Sequence, residues 1–97
     1  MAEPLNERQV RDALAELPGW THAGDAITKT YTFSHFREAV SFMVRIAFSA
    51  EAANHHPELW NVYNRVRVTL ATHDAGNRVT AKDIALAGEI EQVSWVG

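Results

Sequence analysis

The sequence predicts an α+β domain: a four-stranded antiparallel sheet with three helices packed on one face, in the order α-β-β-α-β-β-α. Three segments repeat apolar residues at helical spacing, and four shorter segments alternate apolar with polar residues or are rich in β-branched and aromatic side chains. Turn signals join the strands in two hairpins, and hairpins interleaved with helices are typical of this class. With 97 residues and no repeat, linker or low-complexity segment, residues 1–97 are predicted to form a single domain.

Composition excludes several classes of protein. Hydrophobic residues make up 46% of the chain, too many for a disordered protein, and no apolar run reaches the length of a membrane span. The first residues lack the basic and apolar regions of a secretory signal, and the absence of cysteine removes disulfides, thiol nucleophiles and cysteine-zinc sites. A net charge of −3 with nine scattered basic residues argues against direct nucleic-acid binding. We therefore expect a cytoplasmic protein that binds neither nucleic acid nor a membrane.

The first helix is predicted to begin at an Asn6 cap, with Gln9 as its capping-box partner, and to end at Pro18-Gly19. Its inner face repeats apolar residues at Val10, Leu14 and Leu17.

The first hairpin is predicted to follow at once. Trp20 opens a short strand, Ala23-Gly24-Asp25 forms its turn, and the segment from Ala26 to Phe33 alternates as a half-buried strand does. Its core-facing side chains are expected to be Ile27, Tyr31 and Phe33.

The second helix is predicted to start at a Ser34 cap. Pro57 pushes His56 into an extended conformation, so the helix must end by Asn54 or His55. Arg37, Glu38 and Arg45 are expected on the wetter side. The expected core stripe is Phe36, Val40, Met43, Val44, Ala47 and Phe48.

The second hairpin is predicted to pair Leu59 to Tyr63 with Arg65 to Thr72, with Asn64 at its turn. The uncovered face and the edge of so small a sheet need water or a partner. Because Trp60 and Tyr63 lie in this hairpin, we expect the sheet to self-associate there.

The last helix is predicted to follow a loop at Asp74-Ala75-Gly76-Asn77. Thr80 caps it, and Asp83 occupies the third helical position as the capping-box partner. Its inner face is expected to hold Ile84, Ala87, Ile90, and Val93 or Ser94.

The candidate chemistry lies where the second helix gives way to the third strand. Glu51 falls in the last turn of that helix, where the helix dipole disfavours an acid, and His55 and His56 follow it. If the second hairpin forms, its far ends meet, so His73 should converge with these residues on one rim of the sheet. Titratable groups that converge in this way are typical of an acid–base site.

Other interpretations of the residue types stay open. The histidines could be solvated corner residues, or they could bind a metal together with Glu51. Adjacent histidines in extended backbone point to opposite faces, which disfavours a shared ion. No serine lies near the histidines in the pattern, and no glycine-rich phosphate loop is present. His22 and His35 are interpreted as surface or capping residues.

Four segments follow one another along the chain: Glu51-x-x-x-His55-His56-Pro57, Trp60-Asn61-x-Tyr63-Asn64, Thr69-Leu70-x-Thr72-His73, and Thr80-x-x-Asp83-x-x-Leu86-Ala87 after a Gly76 loop. Taken together, they resemble the motifs of the pterin-4a-carbinolamine dehydratase family over about residues 20 to 93. The resemblance implies the fold predicted above, assembled as dimers or dimers of dimers. It implies dehydration of 4a-hydroxytetrahydropterin, the product of aromatic amino-acid hydroxylases, to quinonoid dihydropterin.

The resemblance also implies site residues. Glu51, His55, His56 and His73 match the functional set, Trp20 matches a pocket residue, and no metal or organic cofactor beyond the pterin substrate is implied. Our hypothesis makes His55 and His73 the acid–base pair, lets His56 orient the pterin, and lets Glu51 hold an imidazole in its tautomer.

Two positions depart from the pattern of the family. Asn54 stands where many members carry Asp, which implies that a second acid beside the histidines is lost. The loop from Gly76 to Thr80 looks one residue longer than in the family, at Asn77-Arg78 before Val79, and solvent is the expected environment of Arg78.

Two other functions were weighed against this dehydratase. One is a protein-binding accessory, since animal members also serve as a dimerisation cofactor of a homeodomain transcription factor through the helix face. An apolar outer stripe on the second helix would favour it, and Arg37, Glu38 and Arg45 are expected to prevent one. The other is a dehydratase for a different pterin, for instance in molybdenum-cofactor metabolism.

Overall fold

The computed structural model describes residues 2–95, and the ends of the predicted domain (residues 1, 96 and 97) lie outside the described residues. The predicted α+β fold is confirmed: three helices and a four-stranded antiparallel sheet follow one another in the predicted order. The elements are α1 Glu7–Leu14, β1 Thr21–Ala23, β2 Ala26–Thr32, α2 Phe36–Ala53, β3 Glu58–Val62, β4 Arg65–Leu70, a 3-10 turn His73–Ala75, and α3 Ala81–Ser94.

The sheet has the strand order β1-β2-β4-β3, so β2 and β4 are central and β3 is an edge strand. Ile27 pairs with Leu70 and Tyr31 with Val66, and residues that pair directly project to the same face. These four side chains are buried in one core with residues of α2 and α3. On the opposite face, Thr30, Arg67 and Trp60 form one exposed row across three strands.

The start of α1 matches its prediction and the end does not. Asn6 caps the helix in the predicted capping box, but α1 ends at Leu14 instead of Pro18. Pro18 disfavours helical backbone in the residue before it. Beyond Leu14 the chain forms i→i+3 hydrogen bonds, the last of which joins the Trp20 N–H to the Leu17 carbonyl at 3.1 Å. These turns still deliver the Leu17 side chain to the core.

The predicted Ser34 cap of α2 is wrong. His35 is the capping residue, in extended backbone and without a side-chain capping bond, and the helix starts at Phe36. Two hydrogen bonds between Phe33 and Asn64, both 2.8 Å long, hold the chain extended at Phe33 and delay the helix by one residue.

The predicted core stripe of α2 is also wrong. The buried residues of the helix are Ala39, Phe42, Ile46 and Ala50. Two of these residues are alanines, whose small side chains let the helix lie close to its neighbours. Because the helix carries apolar residues on several sides, helical periodicity alone is compatible with more than one buried stripe. Of the predicted stripe, Met43 is half-buried against the core, and the three most exposed large residues are Phe36, Val44 and Phe48, at 50%, 52% and 75%. We call these three residues the α2 outer stripe.

None of the helices among residues 2–95 combines the length and the apolar character that crossing a membrane requires.

Candidate active site

The corner between α2 and β3 positions two histidines. The helix ends at Ala53, and Asn54 adopts the left-handed conformation, with φ 50°. The backbone N–H of His55 then bonds to the carbonyl of Ala50 at 3.1 Å, which closes the helix end in a Schellman-type arrangement. The predicted end of the helix is thereby confirmed, and His55 and His56 follow the cap directly.

His55 turns inward. Its side chain is only 10% exposed, and its Nε2 lies 2.5 Å from Oδ1 of the fully buried Asp83 carboxylate. A carboxylate beside an imidazole fixes both the orientation of the ring and the position of its proton.

The Asp83 carboxylate is satisfied by a chain of hydrogen bonds. Its Oδ2 accepts from the Thr72 hydroxyl at 2.8 Å and from the Thr80 N–H at 2.9 Å. Because the Thr72 hydroxyl donates its proton to Asp83, the Thr80 hydroxyl must be the donor in the 2.6 Å contact between the two threonines. An ionised carboxylate only accepts, so a His55 ring that bonds to it carries a proton on Nε2, and Nδ1 is the acceptor of the neutral ring.

His56 turns outward, as expected for adjacent residues in extended backbone. Its Nε2 lies 2.9 Å from Oε1 of Glu51, and both side chains are more than half exposed. The acid at the unfavourable helix end therefore does hold an imidazole, and that imidazole belongs to His56.

His73 begins the 3-10 turn instead of closing a strand. Its Nδ1 lies 3.2 Å from Oδ1 of Asn77, whose N–H returns to the Thr72 carbonyl at 3.0 Å. Gly76 and Asn77 both have positive φ, and Arg78 pairs with Thr72 as an isolated bridge. The loop after His73 thus folds back on the strand end and supports the exposed His73 ring.

Two adjoining cavities bring the histidines together. His55, His56 and His73 all line one of about 210 Å³, and His56 and His73 also line a second of about 310 Å³. The second cavity is also lined by polar and small side chains at the rim of the sheet, including Asp25, Glu58, Thr69 and Asn77. Among residues 2–95, no group of three or more His, Asp or Glu side chains is arranged to hold a metal ion.

Trp20 lies elsewhere. It is buried beside Tyr31, its Nε1 donates to Glu91 of α3 at 3.2 Å, and it does not line either histidine cavity. Its contact with substrate stays a prediction.

Glu91 organises a separate polar cluster under α3. Besides Trp20, Lys29 donates to its carboxylate at 2.6 Å, and the Tyr31 hydroxyl also donates to it. Burial alone would raise the pKa of Glu91, but the hydrogen bonds from Lys29 and Tyr31 and the charge of Lys29 lower it below its usual value. Burial, with the nearby carboxylate, raises the pKa of Tyr31 well above its usual range.

Asp83 is the site residue that sequence reasoning missed. The pattern identified it only as a capping partner, and Asn54 suggested that an acid beside the histidines was lost. The structure corrects this inference, because Asp83 supplies an acid to His55 from 28 residues away. The signals present in the sequence were an acid at the third position of α3 and a threonine directly before His73.

Comparisons with known proteins point to one family. The sequence pattern of the family described as "Pterin 4 alpha carbinolamine dehydratase" matches residues 3–93. A curated protein of Opitutus terrae named "Putative pterin-4-alpha-carbinolamine dehydratase" is 60% identical over 93 residues, 96% of each chain. A protein of Afipia carboxidovorans with the same name is 48% identical over 97% of this chain and 95% of its own.

Two solved structures share the fold. A Brucella melitensis structure titled as a transcriptional coactivator/pterin dehydratase is 42% identical, with a TM-score of 0.89 over 94% of this chain and 98% of its own. A pterin dehydratase-like protein, described as a RuBisCO assembly factor in the alpha-carboxysome, is 18% identical. It covers 81% of this chain and 93% of its own with a TM-score of 0.68, a likeness of fold alone.

Proposed function

This chain belongs to the pterin 4 alpha carbinolamine dehydratase family, and from that premise we propose that it dehydrates a 4a-hydroxytetrahydropterin to the quinonoid dihydropterin. One observation carries the proposal: His55, His56 and His73, from a helix end and a 3-10 turn, line a single cavity. Imidazoles titrate near neutral pH and can both give and take protons there.

The reaction needs two proton transfers. A proton must reach the oxygen on C4a so that it leaves as water, and the proton on N5 must be removed as the N5 lone pair forms the new C=N bond. His55, held with Nδ1 as its acceptor, is suited to take the N5 proton, and the Asp83 carboxylate compensates the charge that then appears on the ring. His73 would donate to the leaving oxygen, and exchange with solvent would restore both residues.

His56 and Glu51 would bind instead of transferring protons. Glu51 orients the exposed His56 ring at the mouth of both cavities, where it can hydrogen-bond to the pterin. Because these groups suffice for the reaction, we propose that it needs no metal and no organic cofactor. In the cell it would serve an aromatic amino-acid hydroxylase by recycling its oxidised pterin.

Stopped-flow absorbance of chemically generated 4a-hydroxytetrahydropterin tests this function. The wild-type protein, with and without a chelator, is compared with the uncatalysed rate and with His55→Ala and His73→Ala. Each of these variants should lose about 10²- to 10⁴-fold in rate, because that is the usual contribution of an acid or base. His35→Ala, which removes an exposed histidine without a capping bond, is the control. A wild-type rate equal to that of buffer would refute the proposal.

Self-association is the second part of the proposal. The edge strand β3 leaves one row of backbone groups unpaired, and Leu59, Trp60, Val62 and Tyr63 are exposed along and just after it. The α2 outer stripe adds an apolar helix surface that Arg37, Glu38 and Arg45 do not cover. We propose that a second copy of this chain pairs at β3 and that dimers meet through α2.

A protein-binding accessory role gains support from the same observation. The sequence predicts no apolar outer stripe on α2, whereas the structure has one, and this difference favours an accessory role. The two roles separate experimentally, because a variant in the stripe should change binding to other proteins or assembly and leave the histidine chemistry intact.

A further inference from the structure

A larger cavity adjoins the histidine rim. It has a volume of about 680 Å³ and lies between the start of α1, the β1–β2 turn and the segment before α3. The hydrogen bond from the Leu5 N–H to the Val79 carbonyl, 2.8 Å long, joins two of these walls. The lining side chains with charge or a titratable ring are Glu7, Arg8, Arg11, His22, Asp25 and Arg78.

Three arginines converge on this cavity. Arg8 and Arg11 are three residues apart on α1 and therefore share one face, and Arg78 comes from the segment before α3. The ion pairs among residues 2–95 involve Lys29, His55 and His56, and none of them uses these arginines. Three uncommitted guanidinium groups in a chain of net charge −3 are a local excess of positive charge that suits an oxyanion.

The cavity lined by Arg8, Arg11 and Arg78, which we call the arginine cavity, adjoins the 310 Å³ histidine cavity. Asp25 lines both the arginine cavity and the 310 Å³ histidine cavity. Asn77, which contacts His73, lines the histidine cavity, and the next residue, Arg78, lines the arginine cavity. A substrate whose ring lies at the histidines can therefore extend a side chain past Asp25 to the arginines.

We propose that Arg8, Arg11 and Arg78 bind a phosphate ester on the side chain of the pterin substrate. The inference rests on the proposed function, and it narrows the substrate class from pterins in general to pterins with an anionic side chain. A phosphate ester fits better than a carboxylate because its two charges and three terminal oxygens can occupy several guanidinium groups at once. Glu7 and Asp25 line the same cavity, and their carboxylates would repel an anion that lay out of contact with the arginines.

The test compares two 4a-hydroxytetrahydropterins that differ only in a phosphate ester on the side chain, with a carboxylated analogue as a third substrate. For the wild-type protein, kcat/KM should be about tenfold or more higher for the phosphate ester than for the neutral pterin, as a charge-assisted contact predicts. Arg78→Gln and Arg11→Gln should remove this preference and leave the neutral substrate unaffected. Arg37→Gln, an exposed arginine on α2, should keep the preference.

The remaining outcomes separate the two proposals. Equal kcat/KM for the neutral and phosphorylated pterins overturns the phosphate subsite and leaves the dehydratase intact, and a preference for the carboxylated analogue overturns the choice of anion. If neither pterin is dehydrated faster than in buffer, the proposed function fails. Calorimetry with stable, fully oxidised pterins then decides the subsite: binding must be tighter with the phosphate and must weaken in Arg78→Gln, and any other result overturns it.

Discussion

Nε2 of His55 lies 2.5 Å from Oδ1 of Asp83, and this contact joins the end of α2 to the first turn of α3. The same carboxylate accepts the Thr80 N–H, so one buried acid both caps a helix and orients an imidazole. Asp83 is therefore placed both to cap α3 and to fix which ring nitrogen of His55, the candidate base, carries the proton.

Asp83→Asn should reduce kcat about 10- to 100-fold with little change in KM, the usual effect of losing a partner that orients a ligand or base. In one orientation, the NH₂ group of the asparagine would face Nε2 of His55 and force the imidazole into the other tautomer. In the flipped orientation, the NH₂ group would face the hydrogen-bond donors of Thr72 and Thr80 and leave a buried donor unpaired. The second effect should lower the free energy of unfolding by about 1–3 kcal/mol.

Asp12→Asn, at an exposed position of α1, is the matched control and should change neither quantity. A folded Asp83→Asn protein with the wild-type kcat and the wild-type pH profile would show that Asp83 only caps α3.

Glu51→Gln should act on substrate binding and not on stability. Glu51 and His56 are 80% and 61% exposed, and an ion pair so accessible to water contributes about 0–1 kcal/mol. We expect an unchanged melting temperature, a raised KM and a kcat near that of the wild type. Glu16→Gln, also exposed, should leave all three unchanged. A fall in kcat with a constant KM would instead place Glu51 in the proton transfers.

The fold could be predicted because its signals are local. The Asn6 and Thr80 caps, the alternation in β2 and β4, and the restriction that Pro57 places on His56 each depend on a few neighbouring residues. The convergence of His55, His56 and His73 followed from one further step, the pairing of two strands in a hairpin.

What could not be predicted depends on packing between distant segments. The register of α2 was wrong because Phe36, Val44 and Phe48 form as good a stripe as the residues that are buried, and only the positions of the sheet and α3 decide between them. The contact between His55 and Asp83 requires the rotation of α3 relative to the corner, which no spacing in the sequence contains.

Glu91→Gln should destabilise the protein most at neutral pH. The folded-state pKa of Glu91 is lowered, so its contribution to stability is fully present above the unfolded-state pKa and is lost as the pH falls through the folded-state pKa. At pH 7 we expect a loss of about 1–3 kcal/mol in the free energy of unfolding, because hydrogen bonds to a charged acceptor weaken. In urea titrations from pH 7 to pH 3, the curves of variant and wild type should converge; a constant gap would contradict this role.

Phe48→Glu should reduce the size of the assembly without abolishing dehydration. Phe48 is the most exposed member of the α2 outer stripe, and a charge there would be costly to bury between two copies of the chain. Light scattering after size exclusion should show a smaller species than the wild type forms at the same concentration. Ala85→Glu adds the same charge at an exposed position of α3 and should not change the mass. A monomeric wild type would refute self-association.

Gly19→Ala should destabilise the protein more than Gly24→Ala. Both glycines have positive φ, so each alanine carries a backbone cost of about 1–2 kcal/mol. A Cβ on Gly19 would lie 2.8 Å from Cε of Lys29, whereas a Cβ on Gly24 meets nothing within 4 Å. Lys29 cannot move away freely because its Nζ bonds to Glu91 and to the Pro18 carbonyl, so we expect an extra loss of at least about 1 kcal/mol. Chemical denaturation of both variants, repeated with Lys29→Ala, completes the test: without the lysine side chain the two alanine costs should become equal, and a persistent difference would assign it to the backbone alone.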